Sequence, residues 1–396
     1  MDIGCGSPLS AITSLAAPAS ASGDTCRSDR QRYGSGMSRI VAARAVLPEH
    51  VYSQEQITGV LADALLGDEP AAVVRRELMR RLHTAAEVRT RHLALPLDRY
   101  RDLGGFGAAN DVWIDVGRRL GSDAVAAALA AAGLVPSDVD LIVTTSVTGL
   151  AVPSLDARIA HRLGLRDDVK RMPLFGLGCV AGAAGIARIH DYLQGRPDDV
   201  AVLLSVELCS LTFQRGDTST ANLVGSGLFG DGAAAVVVLG ERRAAAAGHD
   251  HAPRVRATRS RLYPDSERVM GWDIGETGFQ LVLAATVPDI VDTYLKGDVE
   301  TFLAAHGLAV SDVDTWIAHP GGPKVIEAIV RTLGLKPDAL DVTRRSLASV
   351  GNLSSSSVLH VLQETLATRD PVAASRPAVM LAMGPGFCSE LVLLDW

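Results

Sequence analysis

From Met37 onward, short apolar runs with the look of buried strands alternate with alanine-rich stretches of helical length. The run VAVLLSVE (200–207) is preceded by VAGAAGIARIHDYL (180–193), and the strand pair around LFGDGAAAVVVLG (228–240) follows it. Alternation of this kind predicts a layered α/β protein. A repeat sharpens the expectation. AAAGLVPSDVDLIVTTS (130–146) and AAHGLAVSDVDTWIAHP (304–320) share a helix end, a Gly-Leu turn, a Ser-Asp-Val-Asp cap and a buried strand, at an offset of 174 residues from Gly133 to Gly307. Carried forward, the same offset sets Gly178-Cys179, before the helix at 180–193, within one residue of Gly351-Asn352 before LSSSSVLHVLQETL (353–366). Further on, LFGDGAAAVVVLG is echoed by AMGPGFCSELVLL (382–394). Three matches in register predict a duplication. The expected boundaries are a disordered extension over 1–36, one half over 37–242 and a second over 243–396.

Composition narrows the class. With 47% hydrophobic and 21% charged residues in 396, the chain can bury a large core. The formal charge of −7 carries no long Lys/Arg block, which speaks against a nucleic-acid partner. Arginines in VVRRELMRRLHTAAEVRTRH (73–92) could meet a phosphorylated small molecule or simply cover a solvated helix face. Cys5, Cys26, Cys179, Cys209 and Cys388 show neither paired spacing nor a metal-ligand pattern, so no disulfide scaffold or metal site is expected, and the compartment is expected to be reducing and cytoplasmic. No apolar run approaches the roughly 20 residues a bilayer span needs. The Ala/Ser/Gly-rich stretch before Met37 has no periodicity, and no basic residue precedes its weak apolar patch as a signal peptide would require.

Chemistry concentrates where the duplicated halves connect. Cys179 opens a helix, where unpaired peptide N–H groups favour negative charge and would lower a thiol's pKa. His319 ends the strand TWIAH before the loop PGGP, and it could pair with that thiol as an imidazolium. Asn352, on the Gly351 turn, offers an amide that donates to an oxyanion without titrating. The trio suits acyl transfer through a thioester. Plainer readings stand beside it: a core thiol, a hydrogen-bonded structural histidine and a helix N-cap. Cys388 is expected in the core. A competing reading takes GLGCVAG as a dinucleotide cradle with Glu207 as its ribose acid, which would make the chain an oxidoreductase. That reading leaves His319 and Asn352 unexplained.

Six motifs in order, GLGCVAGAAG, SVELCSLTF, LVGSGLFGDGAAAVVV, WIAHPGGPKVIEA, SVGNLSSSSVL and the terminal GPGF, resemble those of type III polyketide synthases, the chalcone synthase-like branch of the thiolase-fold condensing enzymes. The resemblance spans about residues 38–396. It implies a duplicated α-β-α-β-α thiolase-like fold, with Cys179 as nucleophile and His319 and Asn352 assisting decarboxylation of malonyl-CoA. Phe229 matches the family's gatekeeper between CoA tunnel and cavity. Leu281 stands where plant enzymes carry a second gatekeeper phenylalanine, Cys209 replaces a cavity threonine, Thr212 is retained, and Trp272 replaces a cavity glycine. Gly225, Thr145 and Ser354 complete the expected wall. For CoA, Arg81 and Lys324 match basic or tunnel-mouth positions, whereas another family lysine is Ala85. The resemblance also implies a homodimer and neither metal nor redox cofactor. Motifs ELCSLT and GLGCVAGAAGIAR look like those of bacterial synthases taking fatty acyl starters, so an alkylresorcinol or alkylpyrone product is expected. A ketoacyl carrier-protein synthase of the III type is the near neighbour, and GPGF and the Phe229 motif weigh against it.

Overall fold

Buried strands in this chain are apolar on both faces, which places helices on either side of the sheet they form. The computed structural model describes residues 37–66, 70–369 and 376–396, so the expected extension over 1–36, with Cys5 and Cys26, lies outside the described residues. The described residues belong to one compact unit.

The first half runs β1 (Ser38–Val46), β2 (His50–Ser53), α1 (Gln54–Leu66), α2 (Pro70–Ala85), β3 (Thr90–Leu93), α3 (Phe106–Ala131), β4 (Leu141–Thr145) and α4 (Leu155–Leu163). It continues through β5 (Lys170–Leu174), α5 (Ala181–Gln194), β6 (Val200–Leu208), α6 (Thr220–Leu228), β7 (Asp231–Gly240) and α7 (Glu241–Ala246). The second half comprises β8 (Arg254–Leu262), β9 (Met270–Gly275), β10 (Gly278–Leu283), α8 (Val287–Ala304), β11 (Thr315–Ala318) and α9 (Pro323–Leu333). It ends with α10 (Asp341–Val350), α11 (Ser355–Thr368), β12 (Ala378–Gly384) and β13 (Cys388–Asp395).

Nine strands join in the order β11-β12-β13-β8-β1-β7-β6-β4-β5. Read outward from the central β8–β1 pair, β8-β13-β12-β11 mirrors β1-β7-β6-β4. The offset of 174 residues relates the starts of β4 and β11 and those of α5 and α11. It also relates two short turns, Pro136–Asp138 and Val310–Asp312, in which Asp138 and Asp312 accept from the peptide N–H groups of Val135 and Ala309. Glycines 133 and 307, with φ of 66° and 73°, make the turn before each.

Three large apolar cores follow from this arrangement, beside a smaller one around Met79 and Leu223. Ala183, Ile186 and Ile189 of α5 and Val358, Val361 and Leu362 of α11 pack together against strands of both halves, forming a central helical layer. Helices α3 and α4 cover the opposite face of the first half, and α8 and α9 that of the second. The layers are therefore α-β-α-β-α. Because α5 and α11 lie side by side in the middle layer, their N-terminal ends bring Cys179 and Ser354 within contact. No helix among the described residues is long and apolar enough to cross a membrane.

Candidate active site

Small residues around Cys179 answer a packing demand. Gly178 has φ of 57°, and a Cβ there would fall 2.6 Å from the Pro385 ring. At Gly182 a Cβ would lie 2.4 Å from the Ser355 carbonyl oxygen, and at Gly185 equally close to Leu203. Protein already fills the space a phosphate would need. Glu207 is likewise committed, since its buried carboxylate accepts from the hydroxyls of Ser146, Thr148 and Ser355 and from the Val147 N–H. The dinucleotide reading fails on both counts.

The turn Gly178–Val180 delivers Cys179, 7% exposed, to the start of α5. Its sulfur lies 3.7 Å from Ser354 Oγ. Ser354, with φ of 48°, donates its N–H to Asn352 Oδ1 at 2.8 Å, and Ser357 Oγ approaches the same oxygen at 3.4 Å. With Oδ1 so held, the amide NH₂ is the end of Asn352 left for another partner. The Asn352 backbone is fixed too, donating to the Leu228 carbonyl at 2.9 Å and accepting from the Gly230 N–H at 3.0 Å, which bridges Asn352 to Phe229.

His319 follows β11, and its N–H donates to the Leu381 carbonyl of β12 at 2.8 Å. Gly384, at the far end of β12, packs on the Leu177–Val180 backbone, so one strand braces both the histidine and the cysteine turn. The imidazole is buried and neither ring nitrogen has a hydrogen-bond partner.

Electrostatics correct one expectation. Burial pushes the Cys179 thiol up to about 12, opposed by the Ser354 contact and reinforced by the Glu207 charge. Burial alone pulls His319 down to about 3. Both groups therefore rest neutral, and a thiolate–imidazolium pair is not the resting state. Desolvation outweighs the favourable end of α5 because it acts on the whole charge, whereas the helix terminus contributes about half of one.

A cavity of about 430 Å³ lies beyond Phe229. Cys209, Thr212, Gly225, Phe229, Trp272 and Leu281 all line it, as expected. Gly225 is small for a reason: a Cβ would meet Leu281 Cδ2 at 2.6 Å and the Phe229 ring at 3.4 Å. Leu281 pairs with Trp272 across the β9–β10 hairpin, and the Phe279 ring contacts those of Trp272 and Phe106. Cys179, His319, Asn352, Thr145 and Ser354 are not part of this wall. Thr145 is buried at the end of β4 with its hydroxyl unpartnered. Arg81 is solvent-exposed and pairs with Glu77 at 2.9 Å; Lys324 is exposed at the start of α9. Neither reaches the cavity. Cys388, expected in the core, is only partly buried, because it is the first residue of β13 rather than one of its middle residues.

Arg91, Tyr100, Ser210 and Gln214 also line the cavity, and sequence reasoning missed them. Gln214 clamps the wall together, donating to the carbonyls of Thr212, Thr277 and Phe279. Ser210, between Cys209 and Thr212 in one motif, was the one with a usable signal.

Comparison with known proteins agrees with this geometry. Residues 25–241 match the family model of chalcone and stilbene synthases, N-terminal domain, and residues 254–395 match that of the C-terminal domain. The chain is 57% identical to 1,3,6,8-tetrahydroxynaphthalene synthase of Streptomyces peucetius subsp. caesius, over 90% of this chain and 93% of that protein. It is 31% identical to the Streptomyces griseus enzyme of the same name, over 91% and 93%. A crystal structure of 1,3,6,8-tetrahydroxynaphthalene synthase from Streptomyces coelicolor A3(2), a bacterial type III polyketide synthase, superposes with a TM-score of 0.83 at 30% identity, covering 90% of this chain and 99% of that one. With both halves matched in order on a thiolase-like fold, the chain belongs to the chalcone and stilbene synthase family and is a type III polyketide synthase, an acyl-transferring enzyme.

Proposed function

We propose that Cys179 accepts the starter acyl group from its CoA thioester and that malonyl-CoA extends it. The observation that carries this is the contact of Cys179 with Ser354, which in turn holds Asn352 beside Phe229 of the cavity wall. Loss of CO₂ from the malonyl thioester leaves its electron pair on C2, delocalised to the thioester oxygen. The Asn352 amide and one N–H of neutral His319 donate to that oxygen as its charge develops. The carbanion attacks the acyl carbonyl on Cys179, the C–S bond breaks, and the sulfur is freed for the next round. A neutral imidazole suits this role, since it can donate without carrying charge into a buried site.

The starter we assign is itself a malonyl unit, and the product a polyhydroxylated naphthalene. Relatives bearing the name 1,3,6,8-tetrahydroxynaphthalene synthase support it, and oxygen on alternate ring carbons is the pattern that head-to-tail joining of two-carbon units leaves. The aromatic wall of Trp272, Phe279 and Phe106 fits a flat product. A second reading keeps the long-chain acyl-CoA starter and an alkylresorcinol or alkylpyrone product, favoured by Ile57, Val60, Leu61 and Ala64 of α1 along one side of the cavity. Incubation with malonyl-CoA alone, then with acyl-CoAs from acetyl to stearoyl, separates them by product mass. If malonyl-CoA alone yields no aromatic product while a long acyl-CoA yields an alkylated ring, the malonyl starter is wrong.

Arg81 and Lys324 are assigned to the CoA phosphates at the surface, and no cofactor is assigned. A cytoplasmic homodimer is the assigned state, supported by exposed Leu150, Val152, Met172 and Phe175 around edge strand β5. Light scattering of the purified protein checks it.

A further inference from the structure

A chain of hydroxyls leads from the cavity wall to a buried carboxylate. Tyr100, in the turn Leu97–Arg101, and Ser210, in the turn Cys209–Thr212 after β6, both line the cavity. Their oxygens are 2.5 Å apart, and Ser210 Oγ donates to Asp231 Oδ2 at 2.5 Å. Since that donation uses the serine proton, Tyr100 donates to Ser210. Asp231, the first residue of β7, is fully buried behind them. Its carboxylate also accepts the N–H groups of Ser210 at 2.8 Å and Ala94 at 2.6 Å. Those two peptide donors suffice to tie down both loops, so the two hydroxyls are additional.

Burial pushes the Asp231 carboxyl up to about 6, against the pull of its donors and of the Arg91 guanidinium. A group titrating close to neutral pH can both take and return a proton. Cys179, His319 and Asn352 sit outside this chain and do not line the cavity, and Asn352 bridges to the backbone of Phe229, which does. Ring closure needs a proton removed from a methylene between two carbonyls and another delivered to the attacked carbonyl oxygen.

We propose that Tyr100, Ser210 and Asp231 form a proton relay that drives ring closure of the elongated chain, with Tyr100 as the catalytic residue and the other two acting through it. The idea rests on the polyketide reading above. In the forward step the methylene proton passes to Tyr100 oxygen as the tyrosine proton moves to Ser210 and the serine proton to Asp231, leaving an enolate and a neutral carboxyl. The enolate carbon attacks a ketone of the same chain, a C–C bond forms, and the C=O electron pair becomes an alkoxide. The relay then runs backward, protonating the alkoxide and restoring the Asp231 carboxylate. Atoms and charge balance, and no further reactant is needed.

The test uses the full-length enzyme with malonyl-CoA, counting released CoA separately from the ratio of carbocyclic to lactone products by mass. Tyr100→Phe and Ser210→Ala should lower that ratio about a hundredfold, far more than they lower CoA release; Ser210→Thr, which keeps the hydroxyl, should preserve it. Unchanged product ratios in Tyr100→Phe overturn the relay. So does a parallel fall in CoA release and ring closure that Ser210→Thr fails to rescue, which marks a structural role. A wild-type enzyme that releases no CoA from malonyl-CoA, either alone or with acyl-CoAs from acetyl to stearoyl, overturns the polyketide reading, and the relay with it.

Discussion

The hydroxyl of Ser354 lies 3.7 Å from the sulfur of Cys179, making a residue of the second half the hydrogen-bond partner of a thiol in the first. Ser354 sits at positive φ, which a non-glycine residue adopts only where its surroundings hold it, and such positions cluster at functional sites. Its contact is the leading influence that lowers the thiol's pKa against burial. Ser354→Ala should therefore slow alkylation of Cys179 severalfold at fixed pH, while the Asn352 contact, made by the Ser354 backbone, survives. Rates of iodoacetamide capture, followed by peptide mass, would show it; an unchanged rate removes Ser354 from the account.

Reactivity should rank by burial rather than by position on a helix. Cys388 is partly exposed and pushed only to about 11, Cys179 is nearly sealed and pushed to about 12, and buried Cys209 is raised well above the ordinary thiol value. Among these three, a neutral alkylating reagent should label Cys388 first in the substrate-free enzyme. Labelling of Cys179 should climb about tenfold per pH unit from pH 7 to 9, tracking the thiolate fraction. A plateau near pH 7 would mean the thiolate already forms there.

Asn352→Ala should cut malonyl-CoA decarboxylation about a hundredfold to a thousandfold, the usual penalty for losing one preorganised oxyanion donor. His319→Ala should do similarly. Because burial holds His319 down to about 3, it stays neutral across the working range, and decarboxylation should show no break near pH 6.5 arising from its titration. Acetyl-CoA formation from malonyl-CoA measures this step without condensation. A bell-shaped profile that loses its acidic limb in the His319 variant would contradict the neutral-donor role.

In the cavity wall, Gly225, Phe229 and Leu281 occupy one contact cluster. Gly225→Ala forces the Leu281 end to move, since the added methyl would lie 2.6 Å from it. Leu281 is the end of a flexible side chain, so the enzyme should fold with a melting temperature lowered by only a few degrees. Entry should suffer more than stability: KM for bulky acyl-CoAs should rise several-fold while malonyl-CoA decarboxylation holds. Equal KM changes for acetyl-CoA and long acyl-CoAs would argue against a gate at this position.

Much of the fold was legible because duplication leaves a periodic trace. The Ser-Asp-Val-Asp caps, the glycine turns and the starts of α5 and α11 recur at one offset, and the structure places them at related points. The glycines beside Cys179 were legible as clearance, though two of the residues they clear, Pro385 and Ser355, are far off in sequence. Less could be read of the charge states. Cys179 has a helix start that favours thiolate, and only the surrounding layers reveal a desolvation that reverses it. Tyr100 lies 110 residues before Ser210, and Ser210 lies 21 before Asp231, and no periodicity announces a hydrogen-bonded line between them.

Two buried histidines should make the enzyme sensitive to mild acid. His83, bonded through its ring nitrogens to Thr58 and Ser226, is held down to about 4 by burial and by the Arg91 charge; His319 is held to about 3 by burial. In the unfolded chain both titrate near 6.5. Between 6.5 and those lower values the unfolded state binds protons that the folded state refuses, so the stability each contributes is complete above pH 6.5 and is lost as pH falls. From pH 7 to 5 the loss is about 2 kcal/mol for each histidine. Asp231 works in the opposite direction, since a carboxyl raised to about 6 takes up its proton in the folded state first and adds stability below that pH. Glu207, raised by burial, acts with Asp231, whereas His190 and His360, lowered by burial, act with these two histidines, so the urea midpoint should fall between pH 7 and 5. His319→Gln should recover the share of the loss that His319 contributes, whatever it does to activity. A variant whose midpoint drops as steeply as the wild type would show that His319 is protonated, or exposed, in the folded enzyme.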